Sequence, residues 1–378
     1  MQQQPALELS SDQVAALNHV DQWWQHSEAQ TFTLAGYAGT GKTTVIAYIV
    51  DRWPYGKLLI AAPTGKAAQR LREKGVDACT IHQLAYRFAG HDADGNPEFD
   101  WHGMARDRLV IVDEASMVNS EIYGDLIDNG YRILFVGDHG QLAPVGGDPG
   151  IMRNPDFALS VIHRQDDAGL LSFAHDLREG RHPAAQGSAE VLRVDPFDES
   201  KALQALADAD TAICWKNSNR HWLNHEIMQR RGVVPADLKY DHQSARSVLQ
   251  HLEKTGQRFK LLVLRNNYKM GVANGQVVEA KITKLTRVST AFGKIFKGEH
   301  EFDVSFDKDT FRGTARGMDC PRDHIMGDFG YCLTAHKSQG SEWPWVAVYD
   351  DYTKRDERAR WAYTAATRAK DRLTWCRR

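Results

Sequence analysis

The hydrophobic and polar positions of residues 1–165 alternate between short apolar runs and amphipathic stretches. Apolar residues three or four positions apart predict a helix over 11–24, with one face formed by Val14, Leu17, Val20 and Trp24. A second, apolar helix is predicted over 45–50. Four compact apolar runs are typical of parallel strands buried on both faces: 32–35, 57–62, 109–112 and 133–136. We therefore predict one α/β domain over residues 1–165.

The pattern over 166–378 predicts a second α/β domain. It begins with a helical stretch at 167–178, and its apolar, strand-like runs are 211–215, 330–334 and 345–349. The runs lie far apart along the chain, which indicates that another element is inserted between them.

Two insertions are predicted. The first, about 255–329, has short β-rich runs punctuated by an Asn-Gly pair at 274–275 and by Gly293, a pattern typical of a small β barrel. The second, about 84–106, places aromatic strands around an Asp-Gly pair at 94–95, which predicts a hairpin.

Composition excludes several classes of protein. The 378 residues carry 47 Lys and Arg against 49 Asp and Glu, a net charge of −2, and 42% of them are hydrophobic. This excludes wholesale disorder and a protein that coats nucleic acid by bulk charge, although a local basic channel stays possible. With neither a long apolar run nor the pattern of a signal peptide, we expect a soluble, cytoplasmic protein without membrane contact.

The five cysteines are scattered and form no CxxC pair, which favours a reducing compartment. Cys320 and His324, and likewise Cys332 and His336, lie four positions apart. Zinc is therefore an alternative at these positions, but the spacing fits no established zinc pattern.

The strongest local motif lies at 36–43, between a predicted strand and a predicted helix. Its sequence, GYAGTGKT, fits GxxxxGK[ST], in which glycines let backbone N–H groups point at phosphate oxygens. We expect Lys42 to reach the β- and γ-phosphates and Thr43 to bind Mg²⁺. The predicted nucleotide-binding residues of this loop are Gly36, Gly39, Thr40, Gly41, Lys42, Thr43 and Thr44.

An acidic pair, Asp113 and Glu114, follows the predicted strand at 109–112. Ligand-binding residues of parallel sheets lie at this end of a strand. We expect Asp113 to hold Mg²⁺, directly or through water, and Glu114 to orient and deprotonate the attacking water. The chain is therefore predicted to hydrolyse a nucleoside triphosphate, which leaves open what hydrolysis drives.

Four further segments narrow the function: APTGKAA at 62–68, GDHGQLAP at 137–144, YCLTAHKSQGSE at 331–342 and RWAYTAATRA at 360–369. With the phosphate loop and the acidic pair, they resemble the ordered motifs of superfamily 1 helicases, and most closely the 5′-to-3′ branch of RecD-like and phage Dda-like proteins. This resemblance implies an α/β fold of two tandem RecA-like parallel-sheet domains (a P-loop NTPase) with a small hairpin insertion and an SH3-like β-barrel insertion.

The resemblance also implies roles around the nucleotide. Gln13 is similar to the glutamine that reads adenine, and Gln141 to the sensor of the γ-phosphate. Arg164 and Arg368 resemble the two arginines that complete the site at the domain cleft, although either alone could be a surface or salt-bridged residue. Glu342 resembles the acid that contacts the ribose.

For the nucleic acid, the resemblance implies contacts to the phosphate backbone from both domains. In the first domain these are Pro63, Thr64, Lys66, Thr80 and His82; in the second they are Thr334, His336 and Lys337. Asn217 and Asn224 resemble a further contact segment, and a helix cap or a surface asparagine is the alternative for each.

We therefore expect an ATP-dependent DNA helicase that uses ATP and Mg²⁺, moves 5′ to 3′ on single-stranded DNA and opens duplex at single-strand/duplex junctions. The direction is implied by the resemblance alone. Two alternatives stay open: an RNA helicase of the same superfamily, and a nucleotide-gated DNA-binding subunit of a repair or nuclease complex. Arginines supplied by the same chain would make a monomer sufficient; protein partners are unknown.

Overall fold

The structure is a computed structural model of the chain. It describes residues 9–91, 97–101, 108–163, 168–239, 244–267, 270–286, 290–307, 311, 324–354 and 356–377. The chain divides into two compact units, Met1–Leu171 and Ser172–Arg378. Within the described ranges, every helix is too short or too polar to cross a lipid bilayer.

The first unit consists of a parallel sheet, a separate hairpin and flanking helices. Its strands are β1 (Thr31–Gly36), β2 (Leu58–Ala62), β3 (Cys79–Thr80), β4 (Tyr86–His91), β5 (Pro97–Trp101), β6 (Leu109–Val112), β7 (Arg132–Gly137) and β8 (Phe157–Leu159). Its helices are α1 (Ser11–His26), α2 (Lys42–Arg52), α3 (Gly65–Glu73), α4 (Ile81–Ala85) and α5 (Ser120–Asp128), with a 3₁₀ turn at Ala115–Met117.

The sheet of the first unit has the strand order β3-β2-β6-β7-β1-β8, and every neighbouring pair is parallel. Leu109 and Ile111 of β6 join one core with α1, α2 and α3, whereas Val110 and Val112 join another with α4 and α5. Burial on both faces explains the unbroken apolar runs of these strands. Because the strands are parallel, they all end at one edge of the sheet, where ligands bind in such folds.

Helix α1 buries a different face from the predicted one. Val14 is 43% exposed, and Leu17 and Trp24 are only partly buried against the core. The buried face of the helix is shifted by one residue from the predicted face at three of its four positions. Gln13 faces inward and closes a capping box with Ser10. The buried positions are Gln13, Ala16, Val20 and Trp23.

The predicted hairpin is present as the antiparallel pair β4 and β5, in which Tyr86 pairs with Trp101 and Phe88 with Phe99. The Asp-Gly pair at 94–95 lies outside the described residues. The hairpin follows directly on α4, so the short helix and the insertion form one continuous segment.

Helix α6 (Ala168–Arg178) begins in the first unit and continues into the second. The other elements of the second unit, in chain order, are β9 (Ala189–Arg193), α7 (Ser200–Asp208), β10 (Thr211–Cys214), α8 (Asn217–Arg230), α9 (Ser244–Thr255), β11 (Arg258–Val263), β12 (Val277–Leu285), β13 (Thr290–Lys297), β14 (His300–Asp307), β15 (His324–Ile325), β16 (Gly327–Phe329), β17 (Cys332–Thr334), α10 (Ala335–Ser338), β18 (Trp343–Asp350), α11 (Arg358–Ala366) and β19 (Ala369–Arg377).

The second unit contains two sheets. One is parallel throughout, with the order β17-β10-β18-β19-β9. The other, the insertion, has the order β15-β14-β13-β12-β11-β16. Its edge strands β15 and β16 are separated only by Met326, so the two edges of the sheet must meet and the sheet curls into a barrel.

Gly293 was predicted to break the β pattern, and this prediction is wrong. It lies within β13, paired with Ile282 on one side and Val304 on the other. A Cβ atom at this position would overlap the carbonyl oxygen of Lys281 and lie 2.7 Å from the Phe306 ring. The glycine therefore permits a close approach of strands inside the barrel.

One hydrophobic core runs from the barrel into the parallel sheet of the second unit. It includes Phe259, Ile295 and Phe306 of the barrel together with Ala212 and Ala347 of the sheet. The predicted fold, two parallel-sheet α/β domains with a hairpin and a barrel insertion, is confirmed.

Candidate functional site

The phosphate-binding loop joins β1 to α2 at the carboxyl edge of the first sheet. Gly39 and Gly41 have φ angles of 84° and 80°, the left-handed region that favours glycine. Gly41 is the N-cap of α2 and, being glycine, supplies no side-chain acceptor to the first N–H groups of the helix. Such a helix start favours an anion.

Lys42 and Thr40 fix the shape of this loop. The Lys42 ammonium donates to the carbonyl oxygens of Gly36 at 2.7 Å and Tyr37 at 2.9 Å, so the cation lies over the loop. The fully buried Thr40 donates its hydroxyl to Tyr37 O at 2.9 Å. Thr43 and Thr44 follow in the first turn of α2 and are partly exposed.

Gln13 lies against the same loop. It is 4% exposed, and its Nε2 is 3.5 Å from Thr40 O. A Cβ atom on Gly41 would displace this amide, and the φ of 80° already disfavours any residue with a side chain at this position. This places Gln13 at the edge of the phosphate-binding loop, in keeping with its predicted contact to the base.

A segment that sequence reasoning missed also lies on the loop. The Asp12 carboxylate accepts from Ser160 N at 2.7 Å and Val161 N at 3.0 Å, and His163 N donates to Gly39 O at 2.9 Å. Arg164 is the next residue and lies outside the described residues. In the sequence, Asp12 had the appearance of an ordinary acidic residue in the first turn of a helix.

Asp113 ends β6 beside β2, where its N–H donates to Ala61 O at 3.0 Å. Burial and the neighbouring Glu114 carboxylate raise the pKa of Asp113 to about 6, while the charges of Lys42 and Arg70 oppose this shift. A buried carboxylate that is costly to ionise and lies in the field of the loop lysine is suited to a divalent cation.

Gln141 lies on the loop that follows β7, and this loop packs on the phosphate-binding loop through the Tyr37 and His139 rings, 4.3 Å apart. The Gln141 amide nitrogen is 3.4 Å from an oxygen of the buried Asp138. Its Oε1 is buried without a hydrogen-bond partner among the described residues. An unpaired buried acceptor is costly, so a group bound at this site would have a reason to pair with it.

These residues fit a nucleoside triphosphate and Mg²⁺. The loop offers glycine backbone and a helix start to phosphates, Lys42 offers a cation, and Thr43 and Asp113 offer oxygen ligands of the kind that Mg²⁺ prefers. Among the described residues, no three His, Cys, Asp or Glu side chains group to hold a metal ion by themselves, and Cys320 lies outside them. Magnesium would therefore depend on nucleotide oxygens as ligands.

Three of the predicted strand contacts share one local geometry. Thr64, two residues after β2, and Thr80 and Thr334, the last residues of β3 and β17, each cap the next helix, where the hydroxyl accepts from the N–H three residues on. The Thr80 hydroxyl also donates to Gln83 Oε1 at 3.2 Å, so it acts both as an acceptor and as a donor within the cap. The basic residues two positions after these caps are Lys66, His82 and His336.

The other predicted contacts of the first unit lie beside these caps. Pro63 joins β2 to Thr64 and is partly exposed, and His82 is exposed and stacks on Tyr86 at the start of the hairpin, with 5.2 Å between the ring centroids. Residues after β2 and β3 therefore form one polar edge beside Asp113.

The two predicted asparagines of α8 differ. Asn217 is exposed and accepts from Arg220 Nε at 3.1 Å. Asn224 is 1% exposed, with its Oδ1 bound to the N–H groups of Tyr331 and Cys332 and its Nδ2 to the carbonyls of Arg220 and Cys332. Asn224 thus joins α8 to β17 and presents no polar atom to a ligand.

Lys337 and His336 lie in the short helix α10. Burial and the charge of Arg220 lower the pKa of Lys337 to about 8, and burial lowers the pKa of His336. The buried Arg220 pairs with Asp328 of β16 at 2.7 Å, with side-chain exposures of 4% and 2%. This pair joins α8 directly to the barrel.

Arg368 and Glu342 belong to the second unit. Arg368 is 2% exposed and donates to the carbonyls of Thr364 and Ser341, at 3.0 and 3.2 Å, and to Thr367 Oγ1 at 3.1 Å. Glu342 follows Ser341 and is partly exposed. Their roles toward the nucleotide stay predictions.

Family models match both parts of the chain: one described as an AAA domain matches residues 8–210, and one described as a UvrD-like helicase C-terminal domain matches 329–374. The chain is 26% identical over 390 residues to the ATP-dependent RecD2 DNA helicase of Deinococcus radiodurans, across 97% of this chain and 48% of that protein. It is 29% identical over 171 residues to the ATP-dependent DNA helicase Dda of enterobacteria phage T4, across 39% of this chain and 38% of that one.

Among solved structures, the Pif1 helicase from Bacteroides in complex with ADP-AlF3 and single-stranded DNA has a similar fold. It matches with a TM-score of 0.53 at 18% identity, across 98% of this chain and 92% of that one. The chain spans about half the length of the RecD2 relative.

Proposed function

Because the chain belongs to the AAA domain family and its predicted resemblance to RecD-like and Dda-like helicases is confirmed, we propose that it is an ATP-dependent DNA helicase that moves 5′ to 3′ on single-stranded DNA. The observation that carries this proposal is that one sheet edge holds Lys42, Asp113 and Gln141 beside the helix start that carries Thr64 and Lys66. A nucleotide site and a candidate strand site thus share neighbouring strand ends.

Hydrolysis follows from the residues of the first unit. The bond to be broken is a phosphoanhydride bond of ATP. Lys42 would neutralise charge on the phosphates, and Thr43 and Asp113 would hold Mg²⁺, which supplies further positive charge to the phosphate oxygens when bound. Glu114 orients the attacking water and accepts its proton. Gln141 senses the γ-phosphate by donating from its amide Nε2, while its otherwise unpaired Oε1 can accept only from a donor such as the attacking water.

Strand binding follows from residues of both units. Thr64 and Thr334 each accept a backbone N–H, and each retains a hydroxyl hydrogen that can be donated to a phosphate. Lys66, His82, His336 and Lys337 add cationic or imidazole donors, which contact phosphates without reading sequence. We propose that Arg164 and Arg368 complete the nucleotide site as the units close, so that hydrolysis alternates the grip on the strand.

The first test is ATP hydrolysis measured alone, with single-stranded DNA and with RNA of equal length. We expect stimulation by DNA, and loss of hydrolysis in Lys42→Ala with an unchanged circular dichroism spectrum. Forked duplexes with only a 5′ or only a 3′ tail then test direction, and we expect unwinding from the 5′ tail. Stimulation by RNA alone would favour the RNA helicase, and hydrolysis without unwinding of either fork would favour the nucleotide-gated subunit.

A further inference from the structure

Glu114 has an unusual backbone conformation. Its φ is 54°, and it is the one residue other than glycine with a positive φ in the part of the chain that the structure describes. Such a conformation costs on the order of 1–3 kcal/mol and persists where surrounding structure enforces it. The residue lies between β6 and the 3₁₀ turn, so the direction of its side chain is set by a strained backbone.

The Glu114 side chain points at a cation from a neighbouring helix. Its Oε1 lies 3.7 Å from Arg70 Nη1, and the side chains are 15% and 32% exposed. This distance is too long for a hydrogen bond, so the contact is an ion pair between partly solvated groups. Pairs of this kind contribute about 0.2–1 kcal/mol, which makes the contact easy to break.

Arg70 belongs to the helix that carries the proposed strand contacts. Helix α3 begins after the cap Thr64, and Lys66 and Arg70 are four residues apart, on one helical face. The opposite side is anchored in the core by Ala67, Ala68 and Leu71. Helix α3 therefore links the proposed strand contacts at its start directly to Arg70.

We propose that Arg70 is a positioning residue that restrains the Glu114 carboxylate when no strand is bound and releases it when a strand binds the start of α3. Nucleic acid would then stimulate hydrolysis by freeing the base, in addition to any effect of closure between units. This inference rests on the proposed function, because it requires that the strand binds α3 and that Glu114 is the base.

The experiment compares ATP hydrolysis by the whole chain with and without oligo-dT. In Arg70→Gln, which keeps most of the side-chain stem and removes the charge, we expect hydrolysis without DNA to rise about two- to fivefold, the range that such an ion pair carries. The rate with saturating DNA and the KM for ATP should stay unchanged, so the stimulation ratio falls by the same factor. Arg70→Lys should restore most of the ratio.

Arg72→Ala is the matched control. Arg72 lies on the same helix but donates to Ala78 O at 2.7 Å, away from the acidic pair, so its removal should leave the ratio unchanged. An unchanged ratio in Arg70→Gln, or an equal fall of both rates, would overturn the proposal. Absence of DNA stimulation in the unmodified chain would instead overturn the proposed function, so the two failures are distinguishable.

Discussion

At the scale of single residues, the proposed hydrolysis depends most directly on Glu114, the proposed base. Glu114→Gln keeps the size of the side chain but removes the base, so we expect kcat for ATP to fall about 10²- to 10⁴-fold. Binding of ATP should persist, because Lys42 and the loop are unchanged. Steady-state hydrolysis and a fluorescent-nucleotide titration measure the two effects; normal turnover would show that Glu114 is not the base.

The lowered pKa of Lys337 predicts a pH dependence for the proposed strand binding. Its pKa is lowered to about 8, so the side chain is cationic below pH 8 and loses its charge as the pH rises through that value. If Lys337 contacts a phosphate, affinity for oligo-dT should weaken up to about tenfold between pH 7 and pH 9. Fluorescence anisotropy measures this change.

Lys337→Arg is the comparison for this experiment, because arginine stays charged throughout the range. We expect its affinity to vary less with pH than that of the unmodified chain. Equal pH dependence of the two proteins would remove Lys337 from the strand contacts.

At this scale, the sequence predicted residues whose position a local motif determines. It did not predict contacts with residues far along the chain. The loop at Lys42 and the strand end at Asp113 were predictable, because glycine spacing and an apolar run identify them. The fully paired amide of Asn224 and the contact of Arg70 with Glu114 were not, because their partners lie far along the chain.

At the scale of elements, Gly293 limits how tightly the barrel strands pack. In Gly293→Ala the new Cβ would overlap the Lys281 carbonyl, which is backbone and cannot rotate away. We expect a loss of about 1–3 kcal/mol in the free energy of unfolding, the usual cost of overpacking, measured by urea denaturation.

Gly124→Ala is the matched control for Gly293→Ala. Gly124 lies in α5 with open space around its Cα, so alanine should stabilise the helix by about 0.5–1 kcal/mol. If both variants lost stability equally, close strand approach would not explain the glycine in β13.

The elements also show what periodicity can and cannot predict. Apolar runs located the strands because burial on both faces leaves a strong signal. The face of α1 was misplaced because polar Gln13 is buried for contact with a loop, which hydrophobicity does not encode. Strand β13 was not predicted as a continuous strand, because glycine is typical of turns and Gly293 lies in its middle.

At the scale of the whole molecule, the buried pair of Arg220 and Asp328 ties the barrel to the second parallel-sheet unit. Arg220→Ala would leave the Asp328 carboxylate buried without this partner, and we expect a loss of about 3–5 kcal/mol. Arg258→Ala is the control, because its pair with Glu279 is exposed and should contribute at most about 1 kcal/mol.

A double variant, Arg220→Met with Asp328→Leu, removes both charges and should recover most of the stability. Urea denaturation measures the loss, and hydrogen exchange of β11 and β12 shows whether the barrel opens. A loss in Arg220→Ala no larger than that in Arg258→Ala would contradict a structural role for the buried pair.

The apolar runs predicted two parallel-sheet domains, and the four motifs of the first domain each lie at the end of one of its strands. The resemblance carried by these motifs also implies a role for Arg164 and Arg368 at the nucleotide, and this role stays a prediction.

The barrel has a consequence for how a fold of this kind could evolve. Its first and last strands, β11 and β16, are hydrogen-bonded neighbours. The chain therefore enters and leaves the insertion at adjacent positions. Such a module could be exchanged between proteins without rerouting the chain. However, the barrel shares one hydrophobic core with the parallel sheet of the second unit, so a replacement module would also have to pack against that sheet. Connectivity would allow the barrel to be exchanged as one piece, whereas the shared core ties it to the packing of the sheet.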